Sequence, residues 1–219
     1  MSVHPLTVLV PSVLVAGSLA LLPAMASPTA DAPAAIAAAT VAAPQAATST
    51  AAMTYDIDNV HSCALFRVQH LGAGQFFGRF NRFEGQFTFS ESNGPIFDVK
   101  IPIDSVDTDN DRLDGHLRSP DFFNAVEHPA MSFKNISATK SGERMWDVTG
   151  EITILGVTKT VPVKVEWTGT KDVGRGVRTG LEAIFTIKRS DFGMMYGVEN
   201  GMLGDETRII VSIEGTPAT

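Results

Sequence analysis

The sequence contains a single cysteine, Cys63, in 219 residues. One cysteine cannot form an internal disulfide, so the folded part must depend on its hydrophobic core for stability. Basic residues are also few: the sequence contains 17 Lys and Arg and 24 Asp and Glu, which gives a formal net charge of −7. Nucleic acids and anionic membrane surfaces both attract basic patches, so this balance argues against either as a partner.

The motifs of several catalytic and cofactor classes are missing too. The sequence has no nucleophile elbow, phosphate-binding loop or dinucleotide fingerprint. Its five histidines include no H-x-H or H-x-x-x-H spacing, so we predict no metal site. Asp107, Asp109 and Asp111 imitate the start of a calcium loop, but Arg112 replaces the required glycine and Arg118 the bidentate glutamate. We interpret these acids as the cap of a helix.

The first quarter of the chain does not resemble a folded domain. An apolar run from Val8 to Leu22 ends in Ala24-Met25-Ala26, which predicts a signal peptide over residues 1–26 that is cleaved near Ala26. The alternative is an uncleaved anchor. Residues 27–52 consist mainly of Ala, Pro, Thr and Ser, which favours a disordered linker over a long helix. The mature protein is then expected to have no stable membrane insertion.

From Tyr55 onward the apolar residues repeat every second position, as in Ala64, Phe66 and Val68. Short turns rich in glycine separate about eight such segments, which predicts antiparallel strands in an all-β domain over residues 53–219. Eight strands can close a barrel that either packs solid or holds one small ligand.

One stretch breaks this pattern with helical spacing. Leu113 and Leu117 are four residues apart, with His116 beside them, and acidic residues precede them as a cap. Ser119-Pro120 ends the segment, because a residue that precedes proline disfavours the helical conformation. We predict one short helix between strands, placed as a plug or lid.

Phenylalanine is concentrated in one half of the domain. Eleven of the 13 Phe residues lie between Phe66 and Phe133. These side chains could form an ordinary core or line an elongated apolar cavity, and the sequence alone leaves both open.

Four segments carry a family signature: Asp58 with His61-Ser62 and His70-Leu71; Asn110, Asp114, His116-Leu117-Arg118-Ser119, Asp121-Phe122-Phe123 and Pro129 to Phe133; Gly156-Val157-Thr158-Lys159; and Arg189-Ser190-Asp191-Phe192-Gly193. They resemble the YceI-like family over roughly residues 54–214. The resemblance implies an eight-stranded antiparallel lipocalin-like barrel, commonly periplasmic, that binds long isoprenoid or other lipidic chains. It favours the cavity over the solid core.

The candidate ligand-binding residues share one face of each predicted strand: Phe66, Val68, His70, Phe87, Phe133, Ile152, Val163, Val165, Trp167 and Phe185. His116 and Arg118 are candidates for contact with the polar head of the ligand. We predict no catalytic residue, and we expect Arg189 and Asp191 to form an ion pair or a turn that fixes the end of a strand.

The expected function is a periplasmic binding protein that carries or stores a polyisoprenoid, such as an isoprenoid quinone or a polyprenyl lipid, or another long apolar chain. Two alternatives remain at this point. The first is an enzyme on the same barrel that uses His70 or His116 on a lipidic substrate. The second is a tethered structural module. The sequence also leaves open whether the protein forms a homodimer.

Overall fold

The structure is a computed structural model that describes residues 51–219. The predicted signal peptide, and all but the last two residues of the predicted linker, lie outside these residues. The described part contains eleven strands: β1 Met53–Ile57, β2 Cys63–His70, β3 Gly74–Phe80, β4 Glu84–Ser90, β5 Gly94–Pro102, β6 Val106–Asp107, β7 Ala130–Lys140, β8 Met145–Ile154, β9 Val157–Asp172, β10 Val177–Lys188 and β11 Leu203–Pro217.

Eight of these strands close a ring. The order is β1, β4, β5, β7, β8, β9, β10 and β11, and β11 pairs again with β1, so that the prediction of an eight-stranded antiparallel barrel is confirmed. The other three strands extend one side of the ring, because β2 pairs with the first half of β11, β3 pairs with β2 and β6 pairs with β3. Both β1 and β2 therefore run along the same edge of β11.

Strand β8 shows why the sequence forms a barrel wall. Its residues alternate strictly between buried and more exposed positions, so Trp146, Val148, Ile152 and Ile154 point into the barrel. The turn from β8 to β9 contains only two residues, Leu155 and Gly156. Leu155 and Gly156 have φ of 51° and 73°, the left-handed pair of a two-residue hairpin turn, and pairing resumes immediately.

The predicted short helix is present as α1, Asp111–Leu117. Asn110 caps its first turn by accepting a hydrogen bond from the Leu113 N–H at 3.1 Å. Asp114 is buried and accepts hydrogen bonds from the Thr108 backbone N–H at 2.9 Å and from the Thr108 hydroxyl at 2.7 Å. Its carboxylate therefore fixes the helix to the preceding strand segment. Among the described residues, no helix is long and apolar enough to cross a membrane.

Candidate functional site: an apolar cavity in the barrel

The barrel interior contains a cavity of about 630 Å³. Its wall is almost entirely apolar, and it includes all of the 13 Phe residues except Phe77, Phe87 and Phe89. The volume falls within the range of about 300–1,000 Å³ that is typical of ligand pockets. A cavity of this size with apolar walls gives water few hydrogen bonds, so it favours an apolar occupant.

The barrel is packed at one end and hollow at the other. At the packed end, Phe87 is 1% exposed and stacks on Tyr55 at 5.2 Å between ring centroids, and Trp146 and Val165 are equally buried. At the hollow end, inward-facing side chains such as Phe133 are only partly buried, because they border the cavity. Phe66 and Phe185, which also line the cavity, are partly buried as well.

Two glycines shape the wall of the hollow end. A Cβ atom at Gly78 would collide with the ring of Phe66, and a Cβ atom at Gly150 would collide with the ring of Phe133. Each ring therefore lies flat over a glycine of the neighbouring strand. Any larger residue there would push the ring into the cavity, so these glycines help to keep it open.

Helix α1 and the loop of residues 193–202 meet at the same end of the cavity. The ring of His116 forms edge contacts with Phe122 and Tyr196, both at 5.0 Å between centroids. His116 Nε2 also contacts Asp121 Oδ2 at 2.9 Å. His116 and Tyr196 both belong to the cavity wall and are partly exposed to solvent, so this contact lies where the cavity approaches the surface.

Most of the predicted ligand-binding residues lie on the cavity wall: Phe66, Val68, His70, Phe133, Ile152, Val163 and Phe185, together with His116. Phe87, Val165 and Trp167 do not, although the sequence pattern predicts them there. Phe87 and Val165 belong to the packed end, and Trp167 packs against Phe89 at 5.5 Å. Alternation identifies the face that points inward, but it does not tell where along the barrel the interior is filled.

Arg118 also lies away from the wall. It is the C-terminal cap of α1, and its backbone N–H donates to the Asp114 carbonyl at 3.1 Å. A cation at this position complements the helix dipole. The structure therefore gives Arg118 a place in the helix end, whereas the sequence suggests it as a head-group contact.

Arg189 is the main wall residue that the sequence analysis missed. It is 6% exposed, and its guanidinium donates from Nε to the Gly204 carbonyl at 3.0 Å and from Nη1 to the Tyr196 carbonyl at 3.2 Å. Among the described residues it forms no salt bridge with Asp191, but Arg189–Phe192 form a short 3-10 turn that ends β10. Of the two expected arrangements, the turn is therefore confirmed and the ion pair is not. The sequence offered two signals for Arg189: its place in the family-signature segment that ends at Gly193, and its position at the end of an apolar strand before a Gly-rich loop.

Strand β11 contributes wall residues that alternation could have found. Thr207, Ile209, Val211 and Ile213 repeat every second position and all face the cavity. The flanking Gly-rich loop hides the start of this pattern, because a loop gives no information on register.

Burial and hydrogen bonds shift the pKa values beside Arg189. Burial lowers the pKa of Arg189 below its ordinary value, and the nearby Asp205 carboxylate partly opposes that effect. Burial alone would raise the pKa of Asp205. The backbone N–H and the hydroxyl of Ser190 donate hydrogen bonds to its carboxylate, both at 2.8 Å, and Arg189 adds a positive charge. Together these effects outweigh burial and lower the pKa of Asp205. The lowered pKa favours the ionised form of Asp205, and an arginine guanidinium keeps its proton in proteins.

A second cluster of titratable groups lies on the outer surface. Within residues 51–219, one group of His, Cys, Asp or Glu side chains has all its potential metal-binding atoms within 4.8 Å of one another. It consists of Asp58, His61 and Glu214. The Asp58 hydrogen bond raises the pKa of His61, and the same bond lowers the pKa of Asp58. Arg178 Nε contacts Glu214 Oε1 at 3.4 Å. These groups therefore satisfy one another as ion pairs at the barrel surface.

Comparison with known proteins gives one consistent result. A family model for the YceI-like domain matches residues 55–215. Protein YceI of Escherichia coli O157:H7 is 38% identical over 172 residues, which cover 76% of this chain and 88% of that protein. Two solved structures share the fold. BcnA of Burkholderia cenocepacia has a TM-score of 0.67 at 22% identity, covering 74% of this chain and all of BcnA. A polyisoprenoid binding domain from Saccharophagus degradans has a TM-score of 0.59 at 15% identity, covering 76% of this chain and 99% of that domain.

Proposed function

Since the chain belongs to the YceI-like domain family, we propose that it binds the long apolar chain of a polyisoprenoid or a comparable lipid and carries or stores it in the periplasm. The observation that carries this proposal is the apolar cavity of about 630 Å³ inside the barrel. The polyisoprenoid binding domain of similar fold from Saccharophagus degradans supports the choice of ligand class.

The cavity volume sets a scale for the buried chain. At about 30 Å³ for each water-sized heavy atom, about 630 Å³ has room for on the order of twenty carbon atoms, which is four isoprene units. Transfer of each CH₂ group from water contributes roughly 0.8 kcal/mol. Affinity should therefore rise with chain length up to about this number of carbon atoms, and a longer chain should extend through the mouth beside His116.

The experiment uses a matched pair of variants on one strand. Ala183 faces the cavity, and Thr186 of the same strand is exposed on the outside. Ala183→Trp should fill part of the cavity and strongly reduce the binding of a C₂₀ isoprenoid alcohol by lipid-free protein. Thr186→Trp adds the same group outside and should bind as the wild type does. Equal binding by all three proteins would contradict the proposal, provided that circular dichroism shows that Ala183→Trp is folded.

Export is part of the same proposal. It rests on the apolar run and the small residues that end at Ala26. N-terminal sequencing of the protein isolated from its host should start near Ser27, whereas an intact Met1 would contradict export with cleavage.

The alternative function is an enzyme that acts on a lipidic substrate in the same cavity. The contact between His116 and Asp121 favours it, because a carboxylate commonly orients a catalytic imidazole. The two functions differ in the fate of the ligand. A binding protein returns the bound lipid with unchanged mass after long incubation, whereas an enzyme returns a product.

A further inference from the structure

Arg189 is a buried cation on the wall of an otherwise apolar cavity. Its Nε and Nη1 atoms donate to the carbonyls of Gly204 and Tyr196. Its Nη2 atom is buried and has no hydrogen-bond partner among residues 51–219. A buried donor that lacks an acceptor destabilises the fold, and a charged donor does so more strongly. The guanidinium therefore has an unused donor beside the space where the ligand is proposed to lie.

The charge of Arg189 is also incompletely compensated. Asp205 is the acid that acts on it electrostatically, but both oxygens of Asp205 accept hydrogen bonds from Ser190. In the described part of the chain, no carboxylate oxygen lies within 4.0 Å of an Arg189 nitrogen. A buried ion without a direct counter-ion carries an uncompensated desolvation cost. An anionic oxygen from a ligand would offset that cost.

Thr207 provides a second, independent sign of an absent polar partner. It is 7% exposed and belongs to the cavity wall, and its hydroxyl is buried without a hydrogen bond within the described residues. Thr207 pairs with Ile187, which precedes Arg189 by two residues. The two unsatisfied groups therefore belong to the same end of the barrel.

Three other polar wall residues, His70, His116 and Tyr196, belong to this end, whereas Ser132 lies beside Phe133. The Tyr196 carbonyl accepts from Arg189, the Tyr196 ring contacts His116, and His70 pairs with Leu203, next to Gly204. Farther along the wall, the rings of Phe97, Phe133 and Phe185 form a continuous apolar lining, with 6.1 Å and 6.3 Å between successive centroids. One polar end and one apolar length match a ligand with a single polar head.

We propose that Arg189 binds the polar head of the ligand, and that this head carries an anionic oxygen, as a phosphate or a carboxylate does. The apolar chain then lies along the phenylalanine rings. Because Nη2 and the Thr207 hydroxyl are both closed to water, both side chains turn toward the cavity when the head arrives. The Thr207 hydroxyl supplies a further hydrogen bond. This inference rests on the proposed function, since it needs a lipid in the cavity.

The test compares three probes with the same C₂₀ isoprenoid chain: geranylgeranyl phosphate, geranylgeranoic acid and geranylgeraniol. Equilibrium dialysis with lipid-free protein gives the dissociation constant of each. A hydrogen bond to a charged group predicts that the anionic heads bind at least about tenfold more tightly than the alcohol. The two anions distinguish a phosphate ligand from a carboxylate ligand.

Variants then locate the preference. Arg189→Met should remove most of the preference for the anionic probes and leave the affinity for the alcohol within about twofold. Arg118→Met is the matched control, because it removes a cation at the end of α1 that is not on the wall. Thr207→Val should weaken the preference about threefold or more, since it removes a neutral hydrogen bond.

Arg189 also holds two backbone carbonyls, so Arg189→Met could fail to fold. In that case two other variants test the inference. Arg189→Lys keeps a charge but not the planar fork, and Thr207→Val removes the hydroxyl. Both should reduce the preference for the anionic probes. Equal binding of the alcohol and the anions by wild-type protein would overturn the inference and leave the lipid-binding proposal intact. A preference that survives in every Arg189 and Thr207 variant would also overturn it. Failure of all three probes to bind wild-type protein would remove the lipid-binding proposal itself.

Discussion

Truncation of two phenylalanines should have different consequences at the two ends of the barrel. Phe87 is 1% exposed and packs on Tyr55 at 5.2 Å and near Phe97 at 6.3 Å. Phe133 lies near the other side of Phe97, at 6.1 Å, but it faces the cavity and is only partly buried. The substitutions Phe87→Ala and Phe133→Ala therefore remove the same atoms from a filled and from a hollow environment.

The structure sets the expected magnitudes. Phe87→Ala should lower the free energy of unfolding by about 3–5 kcal/mol, the usual cost of this substitution in a packed core. Phe133→Ala should cost at least about 1 kcal/mol less. Part of its ring is already exposed, and the space that it leaves joins an existing cavity instead of creating a new one.

Urea denaturation of lipid-free protein measures both values, and the amount of lipid retained after purification provides a second comparison. Phe133→Ala should change the retained lipid, whereas folded Phe87→Ala protein should retain the wild-type profile. Equal losses of stability, or a larger loss for Phe133→Ala, would refute the division of the barrel into a packed and a hollow end.

Three further outcomes are expected. Gly150→Ala should reduce lipid retention, because the added Cβ collides with the Phe133 ring and displaces it into the cavity. Quantification of the extracted lipid tests this prediction, and retention at the wild-type level would count against the role of this glycine. Hydrogen bonds from the backbone N–H of Asp109 and from Arg79 and Asn81 lower the pKa of Asp107 to about 2. The contribution of the Asp107 carboxylate to stability is therefore complete above the ordinary pKa of 3.8 and is lost as the pH falls toward 2. Urea denaturation between pH 2 and 5 should show a shallower acid limb for an Asp107→Asn variant, and an unchanged slope would contradict the assignment. His116→Ala should alter the profile of bound lipids, whereas Arg118→Ala should leave it unchanged. Mass spectrometry of the extracted lipids measures both profiles, and a change for Arg118→Ala alone would contradict this assignment.

The fold could be predicted from the sequence because alternation and turns are local signals. The inward face of β8, from Trp146 to Ile154, follows directly from its period of two. The short helix was predictable for a similar reason, because its cap at Asn110 and its stop at Pro120 are encoded within a few residues.

The extent of the cavity was not predictable in the same way. Phe87 and Phe133 each stand between two polar residues in the sequence, yet Phe87 lies in a filled layer and Phe133 faces the cavity. That difference depends on how side chains from eight strands fill each level of the barrel, which no single strand encodes. Arg189 was missed for a related reason. Its contacts with Tyr196 and Gly204 arise from the path of a Gly-rich loop, whose conformation is not periodic.

The most direct test of the central claim is native mass spectrometry of the mature protein isolated from its own host without detergent. The account predicts that the folded protein is heavier than the denatured chain by the mass of one lipid, and that organic extraction recovers an amphiphile with a long apolar chain. The Ala183→Trp variant, with its cavity partly filled, should lack most of this added mass, whereas Thr186→Trp should keep it. Identical native and denatured masses for the wild-type protein, or a lipid retained equally by the folded Ala183→Trp variant, would contradict the account.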